Sequence, residues 1–257
     1  MLLAIGLSVL LAPALTPYNP IKTNQRVPLE PPSATHLMGT DRFGRDILSR
    51  VLWGGRLSLS IGLVSVSIAA CSGIVLGLTA GYYGRRTDAL IMRLTDLLLA
   101  FPGILLALAI VATLGGSLTN LMMAVGIAAI PEYVRITRGT VLSLMEREFV
   151  LAARVVGCRD HAIIFRHILP NVTAPLIVLA TLGIAGAIIT GSALSFLGLG
   201  IRPPAPEWGN MLAEGRQFLQ HAWWVAFFPG LAIMLAVFSI NLLGDGLRDA
   251  LDPRLRL

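Results

Sequence analysis

Apolar residues recur along this chain in long blocks separated by polar, proline-rich or glycine-rich connections. The blocks run over residues 1–15, 57–80, 89–114, 121–130, 175–197 and 223–243. A helix of about 20 apolar residues is what a bilayer core requires, so the pattern predicts an all-α integral membrane protein with about six transmembrane helices. The longest polar connection, about 131–171, falls between the fourth and fifth blocks. Residues 1–56 then form a first span, a connection and an interfacial helix, and residues 57–257 form a five-span unit.

Within the blocks, single residues refine the picture. Ile47, Leu48, Val51 and Leu52 fall at helical spacing, with Arg45, Ser49 and Arg56 lying elsewhere, which predicts an amphipathic interfacial helix leading into the second span. Gly73, Gly77 and Gly81 recur every four residues and strip one helix face of side chains, so that another helix can approach closely. Asp96 is costly against lipid and is expected to pair with another helix or to cap one. Pro102 predicts a kink in the third span. Residues 1–15 read as a short first span rather than a signal peptide, because no basic residue leads the apolar run.

Composition agrees with the pattern. Hydrophobic residues make up 55% of the 257, charged residues 13%, and mean hydropathy is +0.77, where a soluble domain carries roughly 25% charged residues. The net charge of +6 is scattered over the connections with no basic tract or aromatic platform, which argues against nucleic-acid binding. Arginine and lysine are modestly more numerous on the side of the long connection and the C-terminus, placing that side in the cytoplasm. All four tryptophans fall on the other side. Cys71 and Cys158 sit in unlike surroundings and predict no disulfide, and the dispersed histidines 36, 161, 167 and 221 predict no metal site. No Gly-x-x-x-x-Gly-Lys-Ser/Thr phosphate loop is present, so ATP hydrolysis is not expected of this chain.

The long connection has its own order. Residues 148–156 are good helix formers, and Gly157 is placed to end that helix in a left-handed conformation. Asp160 is placed to cap a second short helix through Ile168, with Pro170 as its stop. Ala152 and Ala153 offer a small face for close approach by a partner, flanked by the charges of Arg154 and Arg159. A mere connection between helices needs roughly 2–8 residues, so the length and internal order point to docking.

These residues carry a resemblance. Ala152-Ala153, then Gly157, then Leu169-Pro170 resembles the loop that permease subunits of binding-protein-dependent ABC importers present to their ATPases. Leu151 stands where that loop usually has glutamate, and His167 where it usually has isoleucine. The nearest acid is Glu148, and the usual glutamate's role does not transfer to Leu151. His36-Leu37-Met38-Gly39-Thr40-Asp41, Gly44-Arg45-Asp46, Ser49-Arg50 and Arg56-Leu57-Ser58 resemble the N-terminal signature of the C-type subunit of dipeptide, oligopeptide and nickel importers. Residues 195–200, Pro206-Glu207-Trp208-Gly209 and residues 244–253 are similar to the same subunit.

The resemblance implies a transport subunit of the bacterial or archaeal cytoplasmic membrane, multi-pass, with its C-terminus in the cytoplasm. It implies a homologous second permease as partner, two ATPase subunits, an extracytoplasmic solute-binding protein and surrounding membrane lipid. ATP and magnesium would be bound by the ATPases, and no cofactor by this chain. The ATPase-coupling residues would be Glu148, Leu151, Ala152, Ala153, Arg154, Gly157, Arg159, Leu169 and Pro170. Thr190, Ser192, Ser195 and Asn241 are candidates for lining the solute path. Di- or oligopeptides are the expected cargo, with nickel or a nickel chelate as the alternative within the family. A secondary transporter or channel is the alternative outside it, and would call for paired intramembrane charges or an internal repeat.

Overall fold

The computed structural model describes residues 1–251; the tail residues Arg254 and Arg256 and the Asp252-Pro253 pair of the C-terminal motif lie outside the described residues. The chain is built from helices α1 (Leu2–Leu10), α2 (Ala12–Leu15), α3 (Ile47–Tyr83), α4 (Arg85–Leu99), α5 (Gly103–Leu114), α6 (Leu118–Met145), α7 (Glu148–Val155), α8 (Asp160–Phe196), α9 (Trp208–Gly215) and α10 (Trp224–Leu251). Among the described residues the only β pairing is an isolated bridge between Thr40 and Asp46.

Helix α3 is the axis of the bundle, and its glycine stripe sets the tightest contact. A Cβ placed on Gly77 would lie 2.8 Å from the Val134 carbonyl oxygen, and one on Gly81 would lie 2.8 Å from the Val141 Cβ. Gly73, Gly77 and Gly81 thus receive Tyr133, Thr137 and Val141 of α6, four-residue steps on both helices, so the two backbones run side by side in the same direction. Helix α8 runs the opposite way, because Ile188 and Ile184 meet Gly62 while Gly183 meets Val66 and the Tyr133 hydroxyl. Helix α10 reverses again, packing Ile240 against Ala185 and Ile188, and Gly244 against Leu182. The result has two ends: a loop end, carrying α7 and the end of α10, and a cap end, carrying residues 16–46 and α9.

Several elements differ from the sequence-based expectation. The interfacial helix around 46–57 is the first part of α3, without a break; Asp46 caps it, accepting from the Ser49 backbone N–H at 2.8 Å. Its polar face is buried beneath the cap: Arg45, Ser49 and Arg50 are all inaccessible. The kink expected at Pro102 is a full break, with α4 and α5 meeting at 87°. Asp96 does pair with another helix, accepting from Arg135 of α6 at 2.7 Å, and Asp88 accepts two bonds from Arg138 one turn on. These pairs hold the polar helix α4 across the loop end.

The expected polar connection is shorter than 131–171. Pro131 lies inside α6, which carries on to Met145. Pro170 does not stop a helix either. A π-helical stretch, Ile163–Ile168, leads directly into the residues around it, and Asp160–Phe196 forms one 37-residue helix. Wide turns of this kind, with neighbouring helices and side chains, re-satisfy backbone groups that proline frees inside a membrane helix.

The expectation of about six spans resolves unevenly. Among the described residues three helices (α3, α8 and α10) are long and apolar enough to cross a membrane, or four if the bent pair α4–α5 is counted as one span. Helix α6 has 28 residues but carries Glu132, Arg135 and Arg138 in its second half. Helix α1, of nine residues, reaches about 14 Å at 1.5 Å per residue. It lies against α3, where Arg56 donates to the carbonyls of Val9 and Leu10 at 3.0 and 2.8 Å and closes its C-terminal end.

Candidate coupling surface, cap and central cavity

At the loop end, α7 is a short helix held from beneath. Val150, Ala153, Ile163 and Ile168 bury into the main core. Helix α7 ends as a Schellman motif: the Cys158 N–H bonds the Ala153 carbonyl and the Gly157 N–H bonds the Arg154 carbonyl, each at 3.0 Å, with Gly157 at φ 83°. This is the left-handed turn read from the sequence. A Cβ on Gly157 would meet nothing within 4 Å, so only backbone conformation demands glycine there.

Facing outward are Glu148, Leu151, Ala152, Val155 and Val156, with Val155 and Val156 exposed at 87% and 82%. The outward face therefore differs from the one expected. Ala153 faces the core and leaves Ala152 as the small exposed residue, while the broad apolar surface comes from Leu151 and the two valines. Arg159 is exposed, Pro170 is exposed and Leu169 half-buried, the last two on the first turns after the π stretch. Arg154 turns back over the bundle: its guanidinium carbon lies 5.7 Å from the centre of the Tyr82 ring, and Nη2 is 3.4 Å from the Met145 sulfur. The Tyr82 hydroxyl donates to Asp160 at 2.7 Å, so Arg154, Tyr82 and Asp160 tie α7, α3 and α8 together. Asp160 accepts a tertiary bond here and makes no side-chain cap. His167 packs near Phe149, ring centres 6.4 Å apart.

The cap end has the opposite character. Arg45 pairs with Asp41, and its Nη2 donates to Glu214 at 2.7 Å; Arg50 lies 3.5 Å from both of those acids and donates to the Pro20 and Pro204 carbonyls. His36 meets Asp46 at 3.0 Å. Glu207, fully buried, caps α9 by accepting from the Gly209 and Asn210 backbone at 2.9 Å, and it accepts from Ser58 of α3 at 3.1 Å. Burial pushes its carboxyl above the ordinary value, offset in part by those two backbone donors. Trp208 donates to the Val51 carbonyl at 2.9 Å and Trp224 to that of Thr40 at 3.2 Å. The motifs around residues 36–58 and 206–209 thus form one locked unit.

Between the ends lies an open cavity of about 240 Å3 lined by residues of α3, α5, α6 and α8. Of the path candidates, Thr190 lines it, together with Ser65 and Glu132. Ser192 and Ser195 are buried near the cap, where Ser192 closes on Gly209 and Ser195 on Gly200. Asn241, half-buried on α10, is not among the cavity's lining residues. Glu132 escaped the sequence reading because it follows Pro131 and read as the start of a loop. Its signal was an acid falling on a helix that continues the apolar block.

A helical bundle with up to four helices long and apolar enough to cross a membrane, an exposed apolar helix face at one end and a buried charge network at the other has the architecture of a membrane-embedded protein. Residues 73–257 match the family described as binding-protein-dependent transport system inner membrane component. The chain belongs to that family, and is therefore a permease subunit of an ATP-driven importer and a transport component rather than an enzyme. It is 52% identical to the dipeptide transport system permease protein DppC of Alkalihalophilus pseudofirmus, over 97% of this chain and 82% of that protein. It is 50% identical to the glutathione transport system permease protein GsiD of Pectobacterium atrosepticum, over 88% and 75% respectively. A chain of the inward-facing MetNI methionine ABC transporter shares the fold, with a TM-score of 0.63, 17% identity and coverage of 79% of this chain and 96% of that one.

Proposed function

We propose that this chain forms one half of a translocation path for di- or oligopeptides, the other half coming from a homologous permease. Two ATPase subunits dock on the α7 faces of the two permeases at the cytoplasmic side, and an extracytoplasmic binding protein delivers solute to the cap. ATP and magnesium belong to the ATPases. In this arrangement the loop end, with the C-terminal end of α10, lies in the cytoplasm.

The observation that carries the coupling role is the outward face of α7. Leu151, Ala152, Val155 and Val156 stand in the open on a helix whose other face is anchored in the core. Covering an apolar side chain of this size returns about 1.5–3 kcal/mol. Glu148 and Arg159 rim the patch, Gly157 fixes the turn, and Leu169 and Pro170 open the helix that receives the motion. ATP-driven closure of the ATPases moves α7, and the Arg154–Tyr82–Asp160 contact passes that motion to α3 and α8, biasing a bundle with two packed arrangements. The Leu151 position needs no acid in this scheme. Thr190 contributes to the path; Ser192, Ser195 and Asn241 act at its margins.

Peptide cargo is supported by the peptide-transport names of several relatives. The test is uptake of a labelled dipeptide by vesicles containing the complete complex, energised by internal ATP and supplied with binding protein outside. ATP-dependent accumulation of dipeptide, with no accumulation of nickel, is expected; nickel uptake without peptide uptake overturns the reading.

A further inference from the structure

We infer that Glu132 is a way-station for ammonium groups: its carboxylate takes the cationic amino group of a passing peptide inside the central cavity. The inference rests on the peptide-importer reading above and adds to it a residue and a charge preference within the path.

The position is the first argument. Glu132 stands at the midpoint of the 28-residue α6, about 20 Å from either end at 1.5 Å per residue. Its neighbour Tyr133 packs at Gly73 of α3, about 15 Å before that helix ends. An ionised carboxylate that follows the apolar first half of α6 is costly against lipid and faces protein or water. Yet Glu132 is exposed, and none of the ion pairs among the described residues includes it. The acids of α4 behave differently: Asp96 and Asp88 are matched by Arg135 and Arg138 of α6, one and two turns beyond Glu132. The arginines that would neutralise Glu132 are therefore already engaged.

The cavity is the second argument. Glu132 shares it with Thr190, and the facing wall is α8 at Gly183, Gly186 and Ala187. A Cβ on Gly186 would meet nothing within 4 Å, so this glycine is not there for helix packing; its bare face widens the cavity. Along the same helix the hydroxyls of Thr173 and Thr181 close onto the carbonyls of Leu169 and Ile177, whereas Thr190 lines the cavity. An acid acceptor and a hydroxyl lining one pocket, among mostly apolar walls, suit a group with several N–H donors and one positive charge. A carboxylate with no fixed counter-charge holds such a group without a permanent partner to displace, so the contact remains reversible.

The test uses the complete complex in vesicles with saturating binding protein and three dipeptides: net cationic with a lysine, zwitterionic, and N-acetylated, which is net anionic and carries no ammonium. Affinity of the binding protein for each is measured separately. Glu132→Gln is expected to slow uptake of the cationic dipeptide about tenfold relative to the anionic one, the size of losing one charge-assisted hydrogen bond. Glu132→Asp restores the order of preference, and ATPase stimulation by binding protein shows that the variants assemble. Equal slowing of all three dipeptides, or no change in their ratio, overturns the inference while leaving the importer reading intact. Absence of peptide uptake by the unsubstituted complex overturns that reading, and this inference with it.

Discussion

The two ends of the molecule solve opposite problems. At the cap end, Arg45, Arg50 and Asp41 are buried and matched together with the half-buried Glu214, Glu207 accepts from Gly209, Asn210 and Ser58, and Trp208 and Trp224 are fixed by hydrogen bonds to backbone carbonyls. At the loop end, α7 is only eight residues long; Val150 and Ala153 bury into the core while Leu151 and Val155 face outward. Buried charge networks are unforgiving of small displacements, because any mismatch exposes a desolvated charge. The cap is thus built to hold one arrangement, whereas in the proposed scheme α7 moves as a unit and is completed by another protein.

The sharpest way to break this comparison is at the cap. Arg45→Ala leaves Asp41 and Glu214 desolvated with only the more distant Arg50 to answer them. A stability loss of about 3–5 kcal/mol is expected, read as a large fall in the thermal midpoint of the detergent-solubilised complex. A fall no greater than that of a surface arginine would remove the claim that the cap is locked by charge.

Gly157→Val comes next. The substitution clashes with nothing, and its cost is the left-handed backbone, roughly 1–2 kcal/mol. The bundle is expected to assemble and the ATPases to turn over, while peptide uptake per ATP falls severalfold; Gly157→Asn, which tolerates that backbone, recovers most of it. Unimpaired uptake by the valine variant would contradict a rigid α7 turn. The smallest effect belongs to Arg135→Ala. Both members of the Arg135–Asp96 pair are about half exposed, so the loss is about 0.2–1 kcal/mol, and a stability drop comparable to that of Arg45→Ala would show that α4 is more firmly built in than its exposure indicates.

Local chemistry was legible in the sequence. The glycine stripe of α3 announced a close helix partner, and Gly157 announced the end of α7, because both depend on a few neighbouring residues. Proline misled twice. Pro131 and Pro170 read as boundaries by the rules of water-exposed helices, but inside a bundle the helix continues through both. The face of Ala153 was also misjudged, since periodicity places a residue on a side of a helix without saying which side the core occupies. The cap was illegible for another reason. Arg45 finds Glu214, and Ser58 finds Glu207, across roughly 150 or more intervening residues, and only the tertiary arrangement of α3, α8 and α9 brings them together. Glu132 required the same arrangement, because the pocket it lines is made by residues of four helices.

The central claim is that α7 is the surface the ATPases grip. The free cysteines Cys71 and Cys158, both exposed, are first replaced by serine. Ala152→Cys, Val156→Cys and, at the cap end, Gln217→Cys are then labelled singly with a photoreactive maleimide in the assembled complex. Illumination is expected to join positions 152 and 156 to an ATPase subunit and to leave position 217 unjoined to it. Efficient labelling at 152 and 156 with only lipid or water adducts, or an ATPase adduct at 217, would contradict the account.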